Sequence, residues 1–317
     1  MSVTFSVKNT KLPQIMNPIE LLALNVKSLT QYGIQEDSQE NLQIMQNPIS
    51  EYGYLLMGQE NLSGRGFEVS YDDENQDYNI RVFTPSTEND WLGAFEFIKA
   101  LAIEMNSQVV DEQENIYSAD NINYSYLHDI EAGINAMNGL ENYFIFGVNR
   151  PICFSKKMVD DTFAAENSVK YFSELVEETQ YIDAYIANQK FYQKDNKIRG
   201  SYTLTQGVET VLPYKCPPFI DFTQVSLKQE DISEWTISLV IIDGDENNQE
   251  SYKVLGSLDY QTFLDKLPTE KFRKIDGEYM VGSLNRKEIE SILENQNQTN
   301  VQDNKGGFMS KMKKWFN

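Results

Sequence analysis

The chain has 317 residues, 40% of them apolar and 12% aromatic, and sets 48 acidic against 27 basic side chains for a net charge of −21. That length supports one large or two smaller globular units, and the apolar share excludes wholesale disorder. The acidity repels nucleic-acid phosphates, so no nucleic-acid partner is expected; a basic protein is the natural partner, although such acidity also arises simply as a solubility device.

The opening VTFSV reads as a strand. Asn17 then caps a helix: Pro18 suits its first position, Glu20 completes a capping box, and Ile19, Leu22, Val26 and Leu29 make a face that Gly33 ends. Beyond a Gln/Asn-rich stretch and YGYLLMG come GRGFEVSY (Gly64–Tyr71) and DYNIRVF (Asp77–Phe83). Alternation of Phe67, Val69 and Tyr71, and of Tyr78, Ile80 and Val82, predicts a hairpin around DDENQ. Thr87 with Asp90 starts a second helix, whose face is Trp91, Phe95, Ile98, Ala102 and Met105. A third is expected near Asn121–Glu141, then a buried strand at YFIFG, then helices over Lys156–Phe163 and Ser168–Glu178.

From Tyr181 the texture turns strand-rich: YIDAYIANQKFY, IRGSYTLT, WTISLVII and SYKVLGSL, with Pro213, Pro217 and Pro218 as a rigid connection. A short pattern at Tyr260–Leu267, strands around Asp276-Gly277 and a capped helix over Arg286–Leu293 close the body. Strands and helices come in blocks, which predicts an α+β fold of mixed, mainly antiparallel sheets with packed helices. The expected division is a helix-rich region 1–150, a strand-rich region 151–294, a flexible polar linker 295–307 and a basic tail 308–317.

Several chemistries lack their residues. His128 is the single histidine, which removes HExxH and multi-histidine metal sites and leaves a helix-surface or partly buried residue beside Asp129. Cys153 and Cys216 lie 63 residues apart without a CxxC pair and read as reduced core thiols. There is no GxxxxGK[ST] or GxSxG, and Gly64-Arg65-Gly66 precedes a strand where a dinucleotide loop precedes a helix. Asp243, Asp245 and Asn247 alternate like calcium ligands, but Asn248 and Val254 stand where such a loop needs Gly and Glu, so a solvated turn is expected; Asp73, Asn75 and Asp77 fail likewise. No cofactor and no metal are expected. Tyr181, Tyr185, Phe191, Tyr192 and Tyr202 read as sheet-covering or core aromatics rather than a ligand face.

The last ten residues, FMSKMKKWFN, reverse the charge. Removing their three lysines from the 27 basic side chains leaves 24 against 48 acids in the first 307 residues, a net charge of −24. On a helix, Phe308, Met309, Met312, Trp315 and Phe316 fall within an arc of about 120°, and Lys311, Lys313 and Lys314 point the other way. These eight residues are the candidate membrane- or partner-binding site, forming a short amphipathic helix on an anionic membrane surface; the rival readings are that the tail docks on its own body or fits a groove on another protein. The start carries no basic region before an apolar stretch, and no apolar run approaches the ~18 residues of a membrane span. The expected location is cytoplasmic, peripheral at the inner face of the membrane through this tail.

Read together, MSVTFSVKN, GRGFEVSYD, YIDAYIANQKFYQ and RGSYTLT resemble a family of uncharacterised proteins from Gram-positive bacteria, domain of unknown function 4299, over roughly residues 1–293. The resemblance implies a bacterial cytoplasmic protein and supplies no catalytic residues; the tail lies outside it. The functional expectation is a non-catalytic binding protein. The alternative is a hydrolase-like enzyme using carboxylates and tyrosines, for which the 48 acids offer no distinguishing spacing.

Overall fold

A computed structural model describes residues 1–34, 39–195, 197–220 and 227–294. The first part of the chain supplies β1 (Ser2–Lys8), α1 (Pro18–Leu22), β2 (Leu29–Gln31), α2 (Gln39–Ile44), β3 (Leu55–Gln59), β4 (Phe67–Asp72), β5 (Asp77–Phe83), α3 (Glu88–Met105), β6 (Val109–Asp111) and β7 (Ile116–Tyr117). Its strands make one seven-stranded antiparallel sheet in the order β2-β3-β4-β5-β1-β6-β7. One face buries Phe5, Val7, Phe67, Val69, Ile80 and Val82 together with Trp91, Phe97, Ile98 and Leu101 of α3. The other is polar, with Ser6 donating to Asn79 at 2.6 Å and Arg81 paired with Glu68 at 2.7 Å. A dry face and a wet face are what alternating strands require.

The capping box read at Thr87 and Asp90 is present and starts an 18-residue helix, which ends on Asn106 in the left-handed region. The predicted hairpin is also there, in register Asp72↔Asp77, with Asp72 Oδ1 accepting from the amides of Glu74 and Asn75 in the turn. The first helix is a correction. Asn17 and Glu20 cap it as expected, but it stops at Leu22, Leu21 is its buried apolar residue, and Ile19 is exposed. Leu29, assigned to that helix face, instead pairs with Gln59 as part of β2, so a sheet contact overrides the periodicity.

Next come α4 (Tyr126–Ala136), β8 (Asn142–Phe146), β9 (Pro151–Ser155), α5 (Lys156–Ala164) and α6 (Ser168–Gln180). Among the described residues strand β8 pairs only with β9, in a two-stranded ribbon, and buries Ile145 alone, so the expectation of a buried strand at YFIFG is corrected.

The remaining elements are β10 (Tyr185–Ile186), β11 (Lys190–Lys194), β12 (Lys197–Thr205), β13 (Thr210–Pro213), β14 (Ile232–Ile242), β15 (Tyr252–Asp259), α7 (Tyr260–Lys266), β16 (Phe272–Lys274), β17 (Tyr279–Gly282) and α8 (Arg286–Leu293). They form two four-stranded sheets, β11-β12-β14-β15 and β10-β13-β17-β16. The β12–β14 and β10–β13 pairs are parallel and the others antiparallel. The fold is therefore α+β with mixed, mainly antiparallel sheets. Its two larger apolar clusters run from Val3 to Val176 and from Tyr202 to Ile292.

Candidate functional site

The eight tail residues singled out from the sequence, Phe308, Met309, Lys311, Met312, Lys313, Lys314, Trp315 and Phe316, lie outside the described residues. The ground from which they depart is described. Helix α8 carries the predicted capping box, Asn285 with Glu288, and buries Ile289 and Ile292. Its C-terminal carbonyls are taken by one lysine: Lys266 Nζ donates to Ile292 O at 2.7 Å and to Glu294 O at 3.2 Å. Leu293 packs so close to Gly256 of β15 that a Cβ there would lie 2.9 Å from Leu293 Cδ2, and a larger residue would push that side chain aside.

Strand β15 is the outer strand of its sheet, and its pairing with β14 slips by one residue at Leu255. Val254 and Leu255 stand 43% and 41% exposed there. The preceding turn is acidic. Asp243 pairs with Lys253 at 2.6 Å and faces Arg286 at 3.8 Å. Asp245, Glu246 and Glu250 are exposed and form no ion pair among the described residues. Asp245 instead accepts from Asn247 within the turn, as the solvated-turn reading requires.

A second feature joins the chain's two large clusters. Arg150, in the β8–β9 turn, pairs with Asp276 at 2.7 Å, with the two side chains 2% and 0% exposed. Asp276 also accepts from the amides of Glu278 and Tyr279, and Arg150 donates to Thr179 O and Pro151 O. Arg150 Nη2 has no acceptor among the described residues; the guanidinium lies 5.2 Å from the Tyr279 ring centroid. Gly277 N donates to Cys153 O at 2.7 Å, locking the same turn onto β9. A cavity of about 60 Å³ beside the pair is lined by Asn149, Arg150, Gln189, Tyr202 and Tyr279 among others. That is room for a few waters at most, whereas small-molecule sites run to about 300 Å³ or more.

A third feature escaped the sequence reading. Glu177 of α6 meets the start of α3, where Asn89 Nδ2 donates to it at 3.0 Å. Burial pushes its carboxyl up to about 7, against hydrogen bonds from Thr87 and Asn89 and with nearby Asp90 adding to the rise. Tyr181, just after α6, donates to Ser63 O at 2.7 Å and shares a 3.2 Å contact with the Tyr32 hydroxyl; burial raises both phenols. Fully buried Asp90 accepts from the amides of Arg65, Gly66 and Thr87 and from Ser86 Oγ. The Gly64-Arg65-Gly66 loop is thus an anion cradle already filled by the chain's own carboxylate.

The other flagged residues do not converge. His128 is exposed on α4. Cys153 is buried, with its thiol pushed up to about 12 by burial, and Cys216 is half-buried; both are free. Of the aromatics, Tyr185 and Tyr192 are exposed, while Phe191 and Tyr202 each pack against Trp235 at 5.7 Å. Among the described residues no group of three or more His, Cys, Asp or Glu side chains is placed to hold a metal ion, and no helix is long and apolar enough to cross a membrane.

No curated protein and no solved structure matches this chain. A family model, described as a domain of unknown function (DUF4299), matches residues 2–292. The match takes in all three large sheets and α8 almost to its end, and it stops before the charge-reversed segment. On that coverage the chain belongs to the DUF4299 family.

Proposed function

We propose that this is a non-catalytic interaction protein whose acidic body meets a basic protein partner, and whose segment 308–317 attaches it reversibly to an anionic membrane surface on the cytoplasmic side. The observation that carries the reading is the reversal of charge where the family-matched body stops. The first 307 residues have a net charge of −24, and the last ten have three lysines, five apolar side chains on one helical arc and no acid.

The energetics favour weak attachment. Trp315 and the two phenylalanines contribute about 1.5–3 kcal/mol each if fully buried at an interface. Each lysine adds about 1 kcal/mol near anionic lipid. Ordering the backbone costs about 1–2 kcal/mol per residue, and ten residues are too few for a stable helix in water. The thirteen residues 295–307 span roughly 20 Å as a coil, enough to hold a repelled acidic body off the surface.

Flotation with anionic liposomes tests it. The full chain should rise with the vesicles, and Trp315→Glu or truncation after Gly307 should stay below. Equal behaviour of all three removes the membrane part of the reading.

An enzymatic reading has one observation in its favour, the Glu177 carboxyl held near neutrality, where a general acid or base works best. The acid beside it, Asp90, is committed to four donors from the chain itself. Glu177 lies in a helix-to-helix contact, which favours a packing role.

A further inference from the structure

We infer that the chain's own segment 308–317 docks in solution on the β15 edge and the acidic β14–β15 turn, and that an anionic membrane must compete it away. The inference rests on the proposed membrane attachment only for the identity of the competitor. Three observations converge on this corner.

The first is where the chain leaves the body. Leu293 lies against Gly256, and Lys266 holds the carbonyls of Ile292 and Glu294, so the described chain ends, at Glu294, close to β15. Val254 is two residues along that strand from Gly256, about 7 Å. A thirteen-residue coil of roughly 20 Å reaches it easily, and a short tether of this kind sets a local concentration in the millimolar range. Even a weak intrinsic contact is then substantially occupied.

The second is the apolar edge. An outer strand offers unpaired backbone groups, and at Val254 and Leu255 this one also exposes two aliphatic side chains, at its bulge. Phe308, Met309, Met312, Trp315 and Phe316 supply the complementary surface.

The third is charge. Asp243 is already engaged by Lys253 and Arg286, which leaves Asp245, Glu246 and Glu250 as three exposed acids without ion pairs among the described residues. The segment brings Lys311, Lys313 and Lys314. Other acids are spread over the whole body, but this turn combines them with exposed aliphatic side chains and with the exit of the chain.

Docking makes membrane attachment conditional. If about nine molecules in ten hold the segment on the body, the apparent affinity for vesicles falls about tenfold, because only the undocked tenth can bind. Anything that weakens the corner then strengthens attachment.

The test uses the full chain. Zero-length carbodiimide cross-linking at low micromolar protein, without lipid, should join Lys311, Lys313 or Lys314 to Asp245, Glu246 or Glu250 within single chains. Val254→Lys/Leu255→Lys should lose those links and float with ~3–10-fold less anionic lipid than the parent. Both substitutions are at exposed positions; circular dichroism checks that the variant is folded. Asp245→Asn/Glu246→Gln/Glu250→Gln should likewise float at lower lipid, by a route that does not touch the strand. Links scattered over other acids, links found only between two chains, or, where the parent floats, variants that need as much lipid as the parent overturn the docking. A parent that gives the links but never floats leaves the docking standing and removes the membrane reading; a parent that floats without giving the links does the reverse.

Discussion

Asp276 and Arg150 are a pair that no local pattern announces, since they are 126 residues apart and the turn containing Asp276 reads simply as Asp-Gly between strands. Taking two charges out of water is costly, and here the cost is offset by direct contact plus four hydrogen bonds from or to backbone groups. Removing one partner leaves the other uncompensated. Asp276→Asn should therefore lower stability by about 3–5 kcal/mol, read as a shift in the urea midpoint. Arg150→Met/Asp276→Leu should recover only part of that loss: it leaves no buried unpaired charge, but the amides of Glu278 and Tyr279 and the carbonyls of Thr179 and Pro151 lose their partners. A midpoint unchanged in Asp276→Asn would show that the pair does not hold the seam.

Helix α6 is held to α3 by side chains whose protonation matters. The Glu177 carboxyl, lifted to about 7 by burial, favours the protonated form in the folded chain. Its folded value lies above the ~4.3 of an unfolded glutamate, so its contribution is fully present below that pH and is lost as pH rises through about 7. Glu177→Gln should remove this dependence, raising stability by about 1–2 kcal/mol at pH 8 and by little at pH 4. The figure is well below the full shift because the group is only about half-buried and water screens it. Parallel stability–pH curves for the two proteins would contradict the assignment. Sequence reading served best where a local device fixes the element. The capping boxes at Thr87 and Asn285 and the Asx turn at Asp72 carry their hydrogen-bond partners within three residues, so α3, α8 and the β4–β5 hairpin were legible. It failed where the partner is distant. Leu29 keeps helical spacing but belongs to β3's neighbour, β8 is apolar yet sits in an isolated ribbon, and the Glu177 environment needs two helices brought together. The candidate tail was legible as a charge reversal; the Val254–Leu255 corner was not, because exposure on an outer strand depends on strand order.

At the scale of the molecule, charge is the dominant property. Cut after Glu294, the body should migrate without duplex DNA in a gel shift near physiological salt, because few basic side chains are available to displace counterions. A salt-sensitive retarded band would reveal a clustered basic groove. The order of strands has a different consequence. From β10 onward the chain visits its two small sheets in turn, placing β13 in one between β12 and β14 of the other, and returning for β16 and β17 after β15. Leu212 and Met280 from one sheet share a cluster with Tyr202, Trp235 and Ile237 from the other. No contiguous stretch can therefore complete either sheet alone, and neither sheet can open without exposing the cluster it shares. These two sheets should therefore behave as one cooperative unit, with a common hydrogen-exchange protection and a shared melting transition.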